Sequence, residues 1–338
     1  MEAGKGSERA RVLLALTVIQ VLFGVHYLAG KIVLREIEPR AWAVLRVAGS
    51  AVLLVALAGL MRRRFPVGAR DLALLAVFSL FGVSINQVCF VEGLARTTAI
   101  HSAIINTLIP AWTLLFAVLL RREQMTALKA ASLVLACAGV LLVIRPERAT
   151  LSSATFVGDL LTMVNSMSYS FFLVVSKRTM HRVDALAATA LMFVFGTVPI
   201  AAFGLSSLAA TDLSAVSAAA WWWGAFIVAF PTAAAYVLIS WTLARAEASL
   251  VALFVYLQPV IATILGVLVA GERLSSRTVA GALLIFAGVY LALGVPRPPG
   301  LRRAAPASSN PARCGRAAPR RSEAPTRRCR TPANGAAP

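Results

Sequence analysis

The sequence predicts an all-α integral membrane protein, with ten transmembrane helices arranged as two inverted five-helix repeats. Three observations predict it. The 338-residue chain is 59% hydrophobic and only 14% charged, with a mean hydropathy of +0.79. Its apolar residues come in blocks of roughly 20, the length a helix needs to cross about 30 Å of hydrocarbon. The second half also repeats the first at a constant shift of 149 residues.

The composition excludes an ordinary soluble domain, whose residues are about half apolar and a quarter charged. Inside hydrocarbon the backbone must satisfy its own polar groups, which leaves helices or closed barrels. Barrel strands would show short alternating segments, and the blocks here are long and continuously apolar. Ten spans follow: 12–31, 41–60, 71–91, 98–119, 127–144, 156–176, 185–206, 217–240, 248–269 and 278–295. The breaks between them are polar and often basic, as at Arg62-Arg63-Arg64, Arg145-Pro146-Glu147-Arg148 and Lys177-Arg178. The first block resembles a signal peptide, but its length and the nine spans after it predict an uncleaved first helix.

The repeat is specific. Pro110 falls on Pro259, Glu123 on Glu272, and Ala138-Gly139-Val140 on Ala287-Gly288-Val289. Residues 94–142 match 243–291 at 16 of 49 positions without a gap, too many register-specific matches for shared Ala and Leu richness. The first repeat covers 12–144 and the second 156–295, separated by a linker at 145–155. Five spans per repeat is an odd number, so the two copies must cross the membrane in opposite senses. Lys and Arg set the orientation. With a cytoplasmic N-tail (1–11), the inside segments carry 14 and the outside loops 8, before the tail adds ten. Both termini are expected in the cytoplasm and the protein in the inner membrane.

Residues 296–338 are rich in Arg, Pro and Ala, with ten Arg against the single acidic Glu323, and read as a disordered cytoplasmic tail. The tail lacks a folded platform and interleaved aromatics, so nucleic acid is not an expected partner. Cys89, Cys137, Cys314 and Cys329 show no metal or redox spacing. Neither a His-Glu-x-x-His pair nor a Gly-rich phosphate loop occurs, and His26, His101 and His181 are the only histidines. An enzyme is therefore not expected, nor a cofactor or bound metal.

Polar residues form stripes at helical spacing: Thr17, Gln20, Gly24 and Tyr27 in span one; Ser79, Gly82 and Asn86 in span three; Thr162, Asn165, Ser166 and Tyr169 in span six; Thr232, Tyr236 and Ser240 in span eight. Such faces are unfavourable against lipid and must line other helices or water. Interhelical hydrogen bonding explains any one of them; four together predict a central polar cavity. Pro110 and Pro259 each remove a backbone hydrogen bond inside a span and predict kinks that shape a gate or cavity wall. Asn106, one turn before Pro110, and Gln258, beside Pro259, join the cavity, as do His26 and His101, the central groups that titrate near neutral pH. Trp241 is expected to supply a further amphipathic wall.

No Asp or Glu lies near the centre of a span, which argues against exchange of protons for lipophilic cations. Lys and Arg are likewise absent from the midplane, apart from Arg46 about two turns into span two. A phosphorylated solute would need a basic clamp, so a neutral or zwitterionic solute is expected. Glu123 and Glu272 are expected to fix helix ends. Gly281 and Gly288, matched by Ser132 and Gly139, form small-residue faces for close helix packing.

Several segments together resemble the EamA-type members of the drug/metabolite transporter superfamily over residues 12–295. Gly93-Leu94-Ala95-Arg96-Thr97-Thr98-Ala99 through Pro110 resembles that family's approach to its fourth helix. Tyr256-Leu257-Gln258-Pro259, Gly271-Glu272-Arg273-Leu274 and Gly281 to Val289 resemble its closing signature. Phe23-Gly24-Val25-His26-Tyr27 is similar to a first-helix Trp-Gly-x-Asn-Phe pattern, with Phe23 for Trp and His26 for Asn. The resemblance implies an exporter of amino acids or other small metabolites, driven by a proton or other gradient and not by ATP. The expected partners are thus a small-molecule solute and the lipid bilayer. Rival readings are a multidrug efflux protein and a non-transporting sensor or scaffold that uses the basic tail. Substrate choice is expected where the repeat is broken, at Asn106 against Val255, His101 against Leu250 and Gln258 against Ile109.

Overall fold

The computed structural model describes residues 2–63, 65, 68–122, 124–144, 153–246 and 248–293. Glu123, most of the 145–155 linker and the tail, with Cys314 and Cys329, lie outside the described residues. Among the described residues the regular structure is entirely helical. Eight helical runs among the described residues are long and apolar enough to cross a membrane, and two shorter apolar helices, Ala130–Val143 and Ser276–Gly288, accompany them.

The first half contains α1 (Glu2–Val33), α2 (Pro39–Leu60), α3 (Ala69–Ser79), α4 (Asn86–Arg96), α5 (Ala99–Asn106), α6 (Ile109–Leu119) and α7 (Ala127–Ile144). The second contains α8 (Ala154–Met180), α9 (Ala185–Ala210), α10 (Ala218–Ile227), α11 (Ala235–Leu243), α12 (Ala248–Leu253), α13 (Leu257–Leu268) and α14 (Ser276–Leu293). Moving α7 by 149 residues gives the bounds of α14, and α3 to α6 fall within about two residues of α10 to α13. Packing repeats as well. The α1–α13 contact is mirrored by α8–α6, and the largest interfaces join corresponding helices, α2 with α9 and α7 with α14.

Spans three and eight are single runs, each interrupted by a π-helical stretch. Leu80–Ile85 joins α3 to α4, and Val228–Ala234 joins α10 to α11. A π turn accommodates one extra residue and displaces carbonyls from the regular ladder. Pro231, which has no N–H to donate, lies within the second stretch. Spans four and nine are continuous helical runs, each interrupted by a tighter turn. Thr107 and Leu108 separate α5 from α6, with Pro110 in the first turn of α6. A 3₁₀ turn at Phe254–Tyr256 separates α12 from α13, whose third residue is Pro259.

Glu272 shows how the halves are joined. Its carboxylate accepts from the backbone N–H groups of Ala99 (2.8 Å) and Ile100 (3.0 Å), capping the start of α5. Those N–H groups have no partner within their own helix, and the helix dipole favours an anion there. On the surface, Glu36 accepts from the backbone N–H (2.7 Å) and hydroxyl (2.8 Å) of Ser217, which hold its carboxyl below the usual carboxylate range.

At the α7–α14 interface, Gly139 and Gly281 bring two backbones together. A Cβ at Gly139 would stand 2.6 Å from the Gly281 carbonyl oxygen, and one at Gly281 would stand 2.7 Å from that of Gly139. Gly288 is buried on the same helix as Gly281. A Gly139→Ala substitution is therefore expected to cost about 1–3 kcal/mol through forced separation of the helices. It should lower the melting temperature in detergent. Gly59→Ala, where an added Cβ meets nothing within 4 Å, should leave it unchanged or slightly raised.

Candidate functional site

The helix interruptions and the polar stripes meet at one cavity with about 430 Å³ of empty space, part of it open to the outside. Both halves of the chain build its wall. From the first come Phe23, His26 and Tyr27 of α1, Arg46 of α2, Asn86, Gln87 and Phe90 of α4, and Asn106 and Ile109 at the turn in span four. From the second come Asn165 and Tyr169 of α8, Tyr236 of α11 and Gln258 of α13.

Two hydrogen-bonded chains order these side chains. In the first, Asn106 Nδ2 donates to Tyr27 Oη (2.9 Å), Tyr27 donates to Gln258 Oε1 (2.9 Å), and Gln258 Nε2 donates to Gln20 Oε1 (2.5 Å). In the second, Gln87 Nε2 donates to Tyr236 Oη (2.7 Å), and Tyr236 donates to Asn86 Oδ1 (2.8 Å). Gln87 and Tyr236 stand 149 residues apart, so positions equivalent in the two halves bond to each other directly. Asn165 Nδ2 donates to the backbone carbonyl of Asn86 (2.9 Å), at the point where the π-helical stretch ends. Aromatic rings fill the space between: Phe90 packs on His26 at 4.9 Å and Tyr27 at 5.6 Å, and Tyr169 meets Tyr236 at 6.5 Å.

Arg46 is the residue the sequence reading undervalued. It is 2% exposed and lines the cavity. Its Nε donates to Thr232 Oγ1 at 2.8 Å, and its guanidinium lies 5.6 Å from the centre of the Phe90 ring. Gln87, beside Asn86 just after the π-helical stretch, lines the wall too, although it lies off the Ser79–Gly82–Asn86 stripe. Among the described residues, several buried polar side-chain atoms have no hydrogen-bond partner. Four of them belong to the wall: His26 Nε2, Arg46 Nη1, Gln87 Oε1 and Asn106 Oδ1. Since buried polar atoms are ordinarily paired, such a concentration marks a place built to meet a polar molecule.

Other residues fall elsewhere. His101 is outside the wall; its Nδ1 lies 3.3 Å from Asp159 Oδ2, and Asp159 also accepts from Thr97 Oγ1 at 2.5 Å. Trp241 carries the Arg245 guanidinium over its ring at 4.3 Å. Thr17 is exposed and donates to its own helix at Leu13. Glu92, near the end of α4, pairs with Arg40 and Arg96.

A polytopic helical membrane protein with a central polar cavity, walled by both halves of its chain, belongs to the class of membrane transporters. The comparisons with known proteins agree. The profile of the EamA-like transporter family matches residues 10–145 and again 156–294, and the chain belongs to that family. It is a transporter and not an enzyme. It is 26% identical over 282 residues to an uncharacterized transporter of Archaeoglobus fulgidus, covering 83% of this chain and 97% of that one. A WAT1-related protein of Arabidopsis thaliana is 26% identical over 315 residues, covering 83% of this chain and 84% of its own. A crystal structure with 18% identity superposes with a TM-score of 0.59 over 84% of this chain and 96% of the other, a likeness of fold.

The Tyr236 hydroxyl both accepts from Gln87 and donates to Asn86, so Tyr236→Phe leaves two buried amides short of partners. It is expected to destabilise the protein by about 1–3 kcal/mol. Tyr290→Phe, at a residue 77% exposed, should not change the melting temperature in the same detergent assay.

Proposed function

We propose that the protein is a secondary transporter that moves amino acids or similar small zwitterionic metabolites out of the cell by alternating access. In this reading ten helices form two inverted five-helix repeats in the inner membrane, with both termini in the cytoplasm. The recurrence of helix bounds and packing at the 149-residue shift supports the repeat. The excess of Lys and Arg on one set of loops supports the orientation.

One observation carries the choice of solute: the unpaired atoms of the cavity wall are of both kinds. Arg46 Nη1 is a donor, whereas Gln87 Oε1 and Asn106 Oδ1 are acceptors. A complementary solute therefore bears both an accepting and a donating group, as an amino acid does. The aromatic wall of Phe23, Tyr27, Phe90, Tyr169 and Tyr236 suits an apolar side chain. The two interrupted helices and two π-helical stretches lie at corresponding places in the halves, where a rocking motion can be absorbed.

Counterflow of radiolabelled amino acids in proteoliposomes tests this. At least one amino acid of a broad panel should exchange, and Asn165→Ala should lower its exchange about tenfold, equivalent to ~1.4 kcal/mol. No exchange across the panel would overturn the reading.

A further inference from the structure

We propose that Arg46 is a carboxylate-binding subsite, which makes a negatively charged group an obligatory feature of the solute. The inference rests on the transport reading above and adds to it a single selecting residue.

Arg46 is buried among helices and carries a guanidinium, the side chain least able to give up its charge in a protein. Removing such a charge from water is strongly unfavourable unless an anion or several acceptors replace the lost hydration. Here the replacement is partial. One hydroxyl accepts from Nε, one aromatic face lies against the guanidinium, and Nη1 has no partner.

No carboxylate among the described residues compensates it. Those nearest the polar interior have other tasks: Asp159 accepts from Thr97 and contacts His101, Glu92 pairs with Arg40 and Arg96, and Glu272 caps α5. The cavity wall contains neither Asp nor Glu. Its electrostatic character is therefore set by an uncompensated cation. A solute carboxylate could take donors from a guanidinium edge in planar, paired geometry, a match that a neutral amide does not supply. A solute carrying only an amine would instead place like charges together in a site of low dielectric constant.

The same geometry explains the anchoring of Arg46. Thr232 lies in the π-helical stretch between α10 and α11, so the guanidinium on α2 is held by a segment of the opposite half. An anion at Arg46 would thus bear on the contact between the halves as well as fill the cavity.

Binding to purified, full-length protein in detergent tests the proposal, read as the thermal shift across a concentration series. Four probes share one phenylethyl unit: L-phenylalanine, 3-phenylpropionate, L-phenylalaninamide and 2-phenylethylamine. The corresponding leucine set is run beside them. The acids should stabilise the wild type, with the amide and amine at least about tenfold weaker, the discrimination expected of a strongly desolvated charge pair. Arg46→Gln should abolish the preference for the acids, and Arg46→Lys, which keeps the charge without the planar fork, should retain it in part. Equal binding of amide, amine and acid would overturn the carboxylate subsite while leaving a transporter of small solutes intact. If no probe of either set binds, the amino-acid reading and the subsite fall together. The wild-type comparison decides even if Arg46→Gln does not fold.

Discussion

Within a bilayer a polar group is satisfied by the protein or not at all, and the architecture of this chain follows from where that demand is met. Most Ser and Thr side chains meet it locally: Thr113, Thr162 and Thr197 each donate to the carbonyl four residues earlier in their own helix. The longer amides and tyrosines cannot do so and must reach another helix. They converge where the helical ladders are interrupted, at the turns before Pro110 and Pro259 and at the two π-helical stretches. An interrupted ladder exposes carbonyls, and Asn165, Ser168 and Ser50 donate to such groups at Asn86, Phe81 and Val228. The cavity is thus a consequence of backbone irregularity at corresponding places in the two halves.

Its two hydrogen-bonded chains differ in what they join. Asn106, Tyr27, Gln258 and Gln20 link α1, the turn in span four and α13. Gln87, Tyr236 and Asn86 link α4 to α11. Each contains a residue from either half, so relative movement of the halves must rearrange both. The glycine contact between α7 and α14 involves no polar side chain and brings backbones within van der Waals reach, which suits a fixed support at the periphery.

Much of the fold was legible because lipid imposes simple rules on length and composition. The span 127–144 coincides with α7, and a shift of 149 residues carries the bounds of α7 onto those of α14. Of the residues singled out as cavity candidates, His26, Tyr27, Asn86, Asn106, Asn165, Tyr169, Tyr236 and Gln258 line one cavity, and His101 and Trp241 do not. The stripe that holds Asn86 passes over its neighbour Gln87, and both line the cavity. Arg46 was assigned by its distance along the sequence from the end of its span. Its real environment is set by Thr232 and Phe90, far away in sequence or on another helix. Pro110 and Pro259 follow the irregular turns at Thr107-Leu108 and Phe254–Tyr256, a geometry that composition does not encode.

The central claim is that this cavity is the solute's place and opens alternately to the two sides of the membrane. Side-specific labelling tests it most directly. Asn106→Cys would be placed in a chain whose Cys89, Cys137, Cys314 and Cys329 are Ser, in sealed vesicles of known orientation, and treated with a membrane-impermeant maleimide from either side. The account predicts labelling from both sides, slowed by a solute that the protein exchanges. Labelling from one side only, unaffected by any exchanged solute, would contradict it.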